Sequence, residues 1–229
     1  MMNALTFERL EDRKLLAVSV SQKGSTLKVN GDGADDAVYI WSNGSGQVNV
    51  YDYATGDTQS FSGVTNVKIN TKGGDDYVWI DELDINGKLS IKTGAGNDDV
   101  YIDYSYVGGK TTINTGAGDD EAWIYGSVFN GNFAAKLGAG NDEGGAEWSD
   151  FYGKASVKAG AGDDYVYNYD NYYAKNVVVR MGGGNDYYYE ISSWIDGNAT
   201  AAGGPGDDYI DASGTVVLGK TKVRGFENV

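Results

Sequence analysis

The chain has 229 residues, 35 of them Gly and one Pro, with no Cys, no His and a formal net charge of −15. This excludes a disulfide framework and thiolate zinc, removes the commonest transition-metal ligand and general base, and sets the surface against the phosphates of a nucleic acid. With 41% hydrophobic residues the chain can build a core, while no apolar run approaches the ~20 residues of a membrane helix, so no bilayer span is expected.

Residues 1–16 differ from the rest in being Gly-free, Leu-rich and dense in alternating charge. Leu10, Leu15 and Leu16 can line one helix face, but the apolar run is too short and interrupted for an ordinary secretory signal. The stretch Phe7 to Ala17, FERLEDRKLLA, resembles the N-terminal sorting motif usually written LEPR-x-LL, which opens many large exported proteins of planctomycete bacteria. Asp12 stands where that family usually has Pro. The resemblance implies export, with an extracellular or cell-surface location. A short helix capping the open end of the domain spanning 17–229 is the other reading, and the two are compatible.

From Ala17 the pattern turns to alternation, with Val18 and Val20, then Leu27 and Val29, reading as short strands. A motif then recurs: GADDAVYI from Gly33, KGGDDYVWI from Lys72, GAGNDDVYI from Gly94, and further copies from Gly116, Gly138, Gly160, Gly182 and Gly204, 22 residues apart. The first interval is 40 residues long and contains two alternating runs around a Gly-bearing turn, which predicts a β-hairpin near 47–62.

Counted from the first Gly of each motif, the seventh and ninth positions (Val100 and Ile102), the eighteenth and twentieth (Leu89 and Ile91) and the fourteenth (Val107) are apolar in most copies. Three period-2 segments in every 22 residues predict an all-β, single-stranded parallel β-helix of about eight coils, right-handed by the crossover rule. Each coil buries its apolar side only by stacking on the next. The weakest coil is expected around Glu143 to Ala146, with Trp148 and Phe151 filling it.

Stacking sets Asp36, Asp76, Asp98, Asp120, Asp142, Asp164, Asp186 and Asp208 in one column, with Asp75, Asn97, Asp119, Asn141, Asp163, Asn185 and Asp207 beside it. Carboxylates ~4.8 Å apart repel by roughly 3 to 4 kcal/mol per neighbouring pair at an effective dielectric of ~20. A row of Ca²⁺ ions, each accepting about 6 to 8 oxygens, would compensate the column. Asx-turn bonds to the loop's own N–H groups would do so without an ion. TGAGNDDVY, Thr93 to Tyr101, is similar to the nonapeptide GGxGxDxUx of the RTX family, with Gly94, Gly96, Asp98 and Val100 on its second Gly, third Gly, Asp and apolar positions. The resemblance implies several bound calcium ions. Because each coil has a single such loop, they would form one column rather than two.

Two outward basic columns, Lys88, Lys110, Lys154 and Lys220, and Lys92, Lys136, Lys158, Arg180 and Arg224, are expected to offset the Asp ladder across a turn; a track for an anionic polysaccharide is the other reading. Tyr39, Trp79, Tyr101, Trp123, Tyr167 and Tyr189 share the eighth position, as a structural ladder or a sticky face for sugars or another protomer. The expected protein is therefore an exported structural or adhesive cell-surface rod stabilised by calcium, forming a homo-oligomer or filament and contacting a surface polysaccharide. Parallel β-helices also include pectate-lyase-like enzymes, and Glu143, Glu147, Trp148 and Asp150 form the one cluster where such a site would be sought. The near-unbroken columns argue against an enzyme.

Overall fold

The computed structural model describes residues 18–227, so the segment 1–16 and its export motif lie outside it. Three sheets of ten, ten and seven strands form the walls of a solenoid. A representative coil runs through Leu89–Ala95 on the first wall, Asp99–Asp103 on the second and Tyr106–Val107 on the third, and Thr111–Ala117 then returns to the first. Pairing is parallel and shifted by one repeat: Ile91 lies against Ile113, Val100 against Ala122 and Val107 against Phe129.

Alternation decides what points inward. Leu89, Ile91 and Thr93 on the first wall, Val100 and Ile102 on the second, and Ser105 and Val107 on the third are all buried. Opposite walls cover one another, so a parallel sheet normally buried on two faces is here covered on one by its own coil.

The seven strands of the third sheet give seven turns, one fewer than the motif count suggests. The reason is the first copy: after Thr26–Asn30 and Ala37–Ser42 the chain does not form a third-wall strand but leaves through Gln47–Asp52 and Asp57–Ser62. These two strands are the expected hairpin, and they extend the second sheet antiparallel. Ser19–Lys23 likewise ends the first sheet by pairing antiparallel with Thr26–Asn30.

Two corners require unusual backbone. Gly94 and Gly96 have φ of +131° and +125°, and a Cβ on Gly94 would overlap the Lys72 carbonyl of the coil below. Dihedral and coil spacing both demand glycine there. The corner between the second and third walls places Glu82, Tyr104, Gly126, Trp148, Asp170, Ser192 and Gly214 in the left-handed region, with φ between 46° and 71°.

The coil around Gly144 and Ala146 is underfilled, leaving an apolar void of about 30 Å³ lined by Ile113, Ile124, Phe133, Leu137 and Phe151. Phe151 packs inward, stacked between Phe129 at 5.3 Å and Tyr173 at 5.0 Å. Trp148 does not fill the coil as expected: its left-handed corner position turns it outward, 47% exposed and edge-on to Tyr125.

Candidate functional site at the Gly-Asp corner

Successive residues of an extended chain face opposite sides of it, so the wall splits each acidic pair. Asp36, Asp76, Asp98, Asp120, Asp142, Asp164, Asp186 and Asp208 point inside and are at most 2% exposed. Asp75, Asn97, Asp119, Asn141, Asp163, Asn185 and Asp207 point outside and are exposed.

Each column is a hydrogen-bond ladder between coils. Inside, the Asp76 N–H donates to Asp98 Oδ1 at 2.9 Å, Asp98 N–H to Asp120 Oδ1 at 2.9 Å, and so on to Asp186 N–H and Asp208 Oδ1 at 3.1 Å. Outside, the direction reverses: Asn97 N–H donates to Asp75 Oδ1 at 2.8 Å and Asp119 N–H to Asn97 Oδ1 at 2.9 Å. These side chains therefore serve the backbone of the neighbouring coil rather than their own loop, satisfying corner N–H groups that no strand can pair. The inner ladder begins at Asp36, whose N–H donates to Asp76 Oδ1 at 2.9 Å, and ends where Asp208 N–H meets Glu227 Oε2 at 2.6 Å. The first outer rung is Asp35, whose Oδ1 accepts from Asp75 N–H at 2.8 Å. Asp35 thus belongs to the outer column as well, its pairing with Asp36 mirroring Asp75–Asp76.

The inner carboxylates keep one oxygen without a partner: Oδ2 of Asp76, Asp98, Asp120, Asp142, Asp164, Asp186 and Asp208 is buried and makes no hydrogen bond, and Asp36 has both oxygens in that state. Burial is the main cause that lifts these acids, to about 7 at Asp76, Asp120 and Asp164, to about 6 at Asp36 and Asp186, and upward at Asp98 and Asp142. The accepted backbone N–H groups oppose the rise. At Asp76, Asp98 and Asp120 the hydroxyls of Thr71, Thr93 and Thr115 oppose it too.

The residue before the Gly-rich turn divides the column. It is Thr71, Thr93 and Thr115 in three coils, then Leu137, Ala159 and Met181 in the next three, all buried. Among the described residues no group of three or more acidic side chains converges as a metal cluster. A calcium ion at Asp76, Asp98 or Asp120 would have a carboxylate oxygen and a hydroxyl, with backbone carbonyls left to complete its shell. Beside Asp142, Asp164 and Asp186 the residue before the turn is Leu137, Ala159 or Met181 and adds no oxygen to the stacked carboxylates, so that part of the column is the poorer donor set for a cation.

Other corners carry ladders of Ser and Asn that no Gly-rich motif marks in the sequence. Ser105 N–H donates to Ser127 Oγ at 3.0 Å, Ser127 N–H to Ser149 Oγ at 3.1 Å and Ser149 N–H to Asn171 Oδ1 at 2.9 Å. At the third corner Asn66, Asn132, Asn176 and Asn198 accept in the same way from the next coil. A further buried group breaks the ninth column: Glu190, 3% exposed, accepts from Asn168 Nδ2 at 3.0 Å and from the Tyr188 hydroxyl at 2.6 Å.

On the outer second wall Tyr39, Trp79, Tyr101, Trp123, Tyr167 and Tyr189 are half-buried by their neighbours. Tyr39 lies 4.6 Å from Trp79 and Tyr167 6.1 Å from Tyr189. The polar tips are held, as Trp79 Nε1 donates to Asp103 and the Tyr101 hydroxyl to Glu121, both at 2.9 Å. Gly145, in register between Trp123 and Tyr167, interrupts the ladder. Glu143 and Glu147 flank that gap, whereas Trp148 stands at the corner and Asp150 on the third wall, so the four residues are spread over three parts of the coil.

The basic columns correct one expectation. Among the described residues none of their side chains forms an ion pair or hydrogen bond with a carboxylate, because Lys92, Lys136, Lys158, Arg180 and Arg224 project from the first wall, away from the inner Asp column. Compared with known protein families, with curated proteins and with solved structures, the chain matches none.

Proposed function

We propose that the chain is an exported structural protein of the cell surface, a stiff rod whose flat walls serve attachment and self-assembly and whose Gly-Asp corner is stiffened by calcium. The observation that carries this reading is the continuity of the ladders from Asp35–Asp36 to Asp207–Asp208. Between Leu89 and Ile195 every connection between strands is two or three residues long, so these coils offer no long loop to enclose a substrate. The rod offers repetition and flat surface instead. Export rests on the resemblance of Phe7 to Ala17 to the sorting motif.

Calcium belongs to the coils of Asp76, Asp98 and Asp120, where Thr71, Thr93 and Thr115 add hydroxyl oxygens. When bound it supplies positive charge between stacked carboxylates and ties one coil to the next. At Asp142, Asp164 and Asp186 a proton takes that role. Thermal melts at pH 8 with chelator and with millimolar calcium test the assignment, the expected result being a higher melting temperature with calcium. An identical melting temperature in both would leave the whole column to protons.

A further inference from the structure

We propose that the first wall of one rod docks on the second wall of another copy, with Arg180 and Arg224 as the anchors; the proposal deepens the reading of the chain as a self-assembling rod and rests on it. The two walls divide the charge completely. None of the ten strands of the first sheet contains Asp or Glu, and none of the ten strands of the second contains Lys or Arg. An acidic chain with mixed charge on every wall would serve solubility equally well. Here every cation carried on a strand stands on that one wall, where Lys136, Lys158 and Arg180 occupy neighbouring strands in register. Like charges in that arrangement destabilise a sheet, and no acid on the same wall relieves them.

The relief available lies on the other wall. Asp81, Asp99, Asp103, Glu121, Glu143 and Glu147 face outward there at the same strand spacing, interleaved with Tyr and Trp rings. A carboxylate and an aromatic face are the two groups that a guanidinium or ammonium seeks. Size fits as well: seven coils at ~4.8 Å and strands about 20 Å wide give a wall of roughly 700 Å² per partner, close to the ~800 Å² of a standard stable interface.

Arginine placement marks the anchor. The solenoid contains only two arginines among the described residues, and both flank Ala202, with Arg180 pairing beside it on one strand and Arg224 on the other. Their guanidinium stems and Lys158 border a depression floored by Gly182, Ala202, Gly203 and Gly204. Every other outward cation on this wall is Lys. Arg presents the planar fork that holds a carboxylate in two bonds, so the notch is shaped for an acidic side chain entering from outside. Because the mating patches lie on different walls, the contact is heterologous and propagates rods side by side.

The test is sedimentation velocity of the folded chain at ~20 mM and ~500 mM salt, a range that spans strong and weak screening. Wild type should at least double its average mass at low salt and return to monomer at high salt. Arg180→Glu/Arg224→Glu should stay monomeric at low salt, as should Glu143→Lys/Glu147→Lys, each with its wild-type melting temperature. An equimolar mixture of the two should assemble again, since each now carries the wall the other lacks. Either variant assembling like wild type, a mixture that remains monomeric, or a monomeric wild type whose notch instead binds polygalacturonate would each overturn the docking. The calcium melts are independent of it, so failure here leaves the rod reading to its own test.

Discussion

Asp98 concentrates the chemistry of the first corner in one side chain: Oδ1 accepts the Asp76 N–H, and Oδ2 is buried beside Thr93 without a partner. Its pKa, like that of its stacked neighbours Asp76 and Asp120, is raised by burial above the ordinary aspartate value of 3.8. The folded chain therefore holds protons that the unfolded chain has released. Such a group contributes stability fully present below its unfolded pKa and lost as pH rises through its folded one. With column values of about 6 to about 7, the window runs from about pH 4 to about pH 7. In chelator, then, the melting temperature should fall between pH 5 and pH 8. Asp98→Asn keeps the acceptor and removes the charge, so it should raise stability at pH 8 by ~1 kcal/mol and flatten the pH slope. In calcium the same variant should lose part of the calcium-dependent rise. A lower melting temperature at both pH values would show that the acid is needed for something other than its acceptor oxygen. The column was legible from the 22-residue spacing of Gly and Asp, because a repeat forces equivalent residues together. Which of two adjacent acids faces inward follows from their offset from Val100, and the direction of each ladder does not.

At the scale of the element, strands were readable and corners were not. Inward Val100 and Ile102 alternate with outward Tyr101, which is a direct signature of a wall with one buried side. The corner at Glu82, Tyr104, Trp148, Asp170 and Ser192 has a fixed left-handed backbone with no fixed residue type. Composition therefore carries no trace of it; the neighbouring coil, not a local glycine, holds the turn in place. What does the holding is the Ser ladder, which reads in sequence as ordinary polar turn residues. Ser127 accepts the Ser105 N–H at 3.0 Å and donates to the Tyr125 carbonyl at 3.0 Å while fully buried. Ser127→Ala should leave a buried N–H unpaired and lower stability by ~1–3 kcal/mol in urea unfolding. Ser127→Asn should be better tolerated. Asn171 already fills the equivalent place, accepting from Ser149 N–H at 2.9 Å and donating to the Ala146 carbonyl at 2.7 Å. Equal losses in the two variants would mean that the corner is held by side-chain volume rather than by its acceptor.

For the whole molecule, nearest-neighbour stacking makes stability nearly one-dimensional, so the ends decide where opening begins. The two ends differ. At the N-terminal end Ser19–Lys23 and the pair Gln47–Asp52 and Asp57–Ser62 cover the first coil antiparallel, and Leu27, Val29, Val38 and Ile40 beneath them are fully buried. At the C-terminal end Thr221–Arg224 is an edge strand exposed along its length, Val216–Val217 and Tyr209–Asp211 are edges of their own sheets, and Leu218 is 61% exposed. Phe226 packs against the last coil, yet covers only part of it. Each central coil pairs on both sides, whereas among the described residues the coil of Tyr209–Arg224 pairs on one, so opening it forfeits half as many cross-coil bonds. Fraying should run inward from the C-terminal end. Native-state hydrogen exchange checks this: protection should be lowest over Tyr209–Arg224, rise through Val177–Ile191, and be high in both the central coils and Thr26–Asn30. Exchange at Thr26–Asn30 as fast as at Thr221–Arg224 would show that the antiparallel strands do not act as a cap. The same measurement on self-associated rods would separate lateral docking from end-to-end stacking, because only stacking would also protect the amides of Val216–Val217, the edge of the third wall that docking of the other two leaves uncovered.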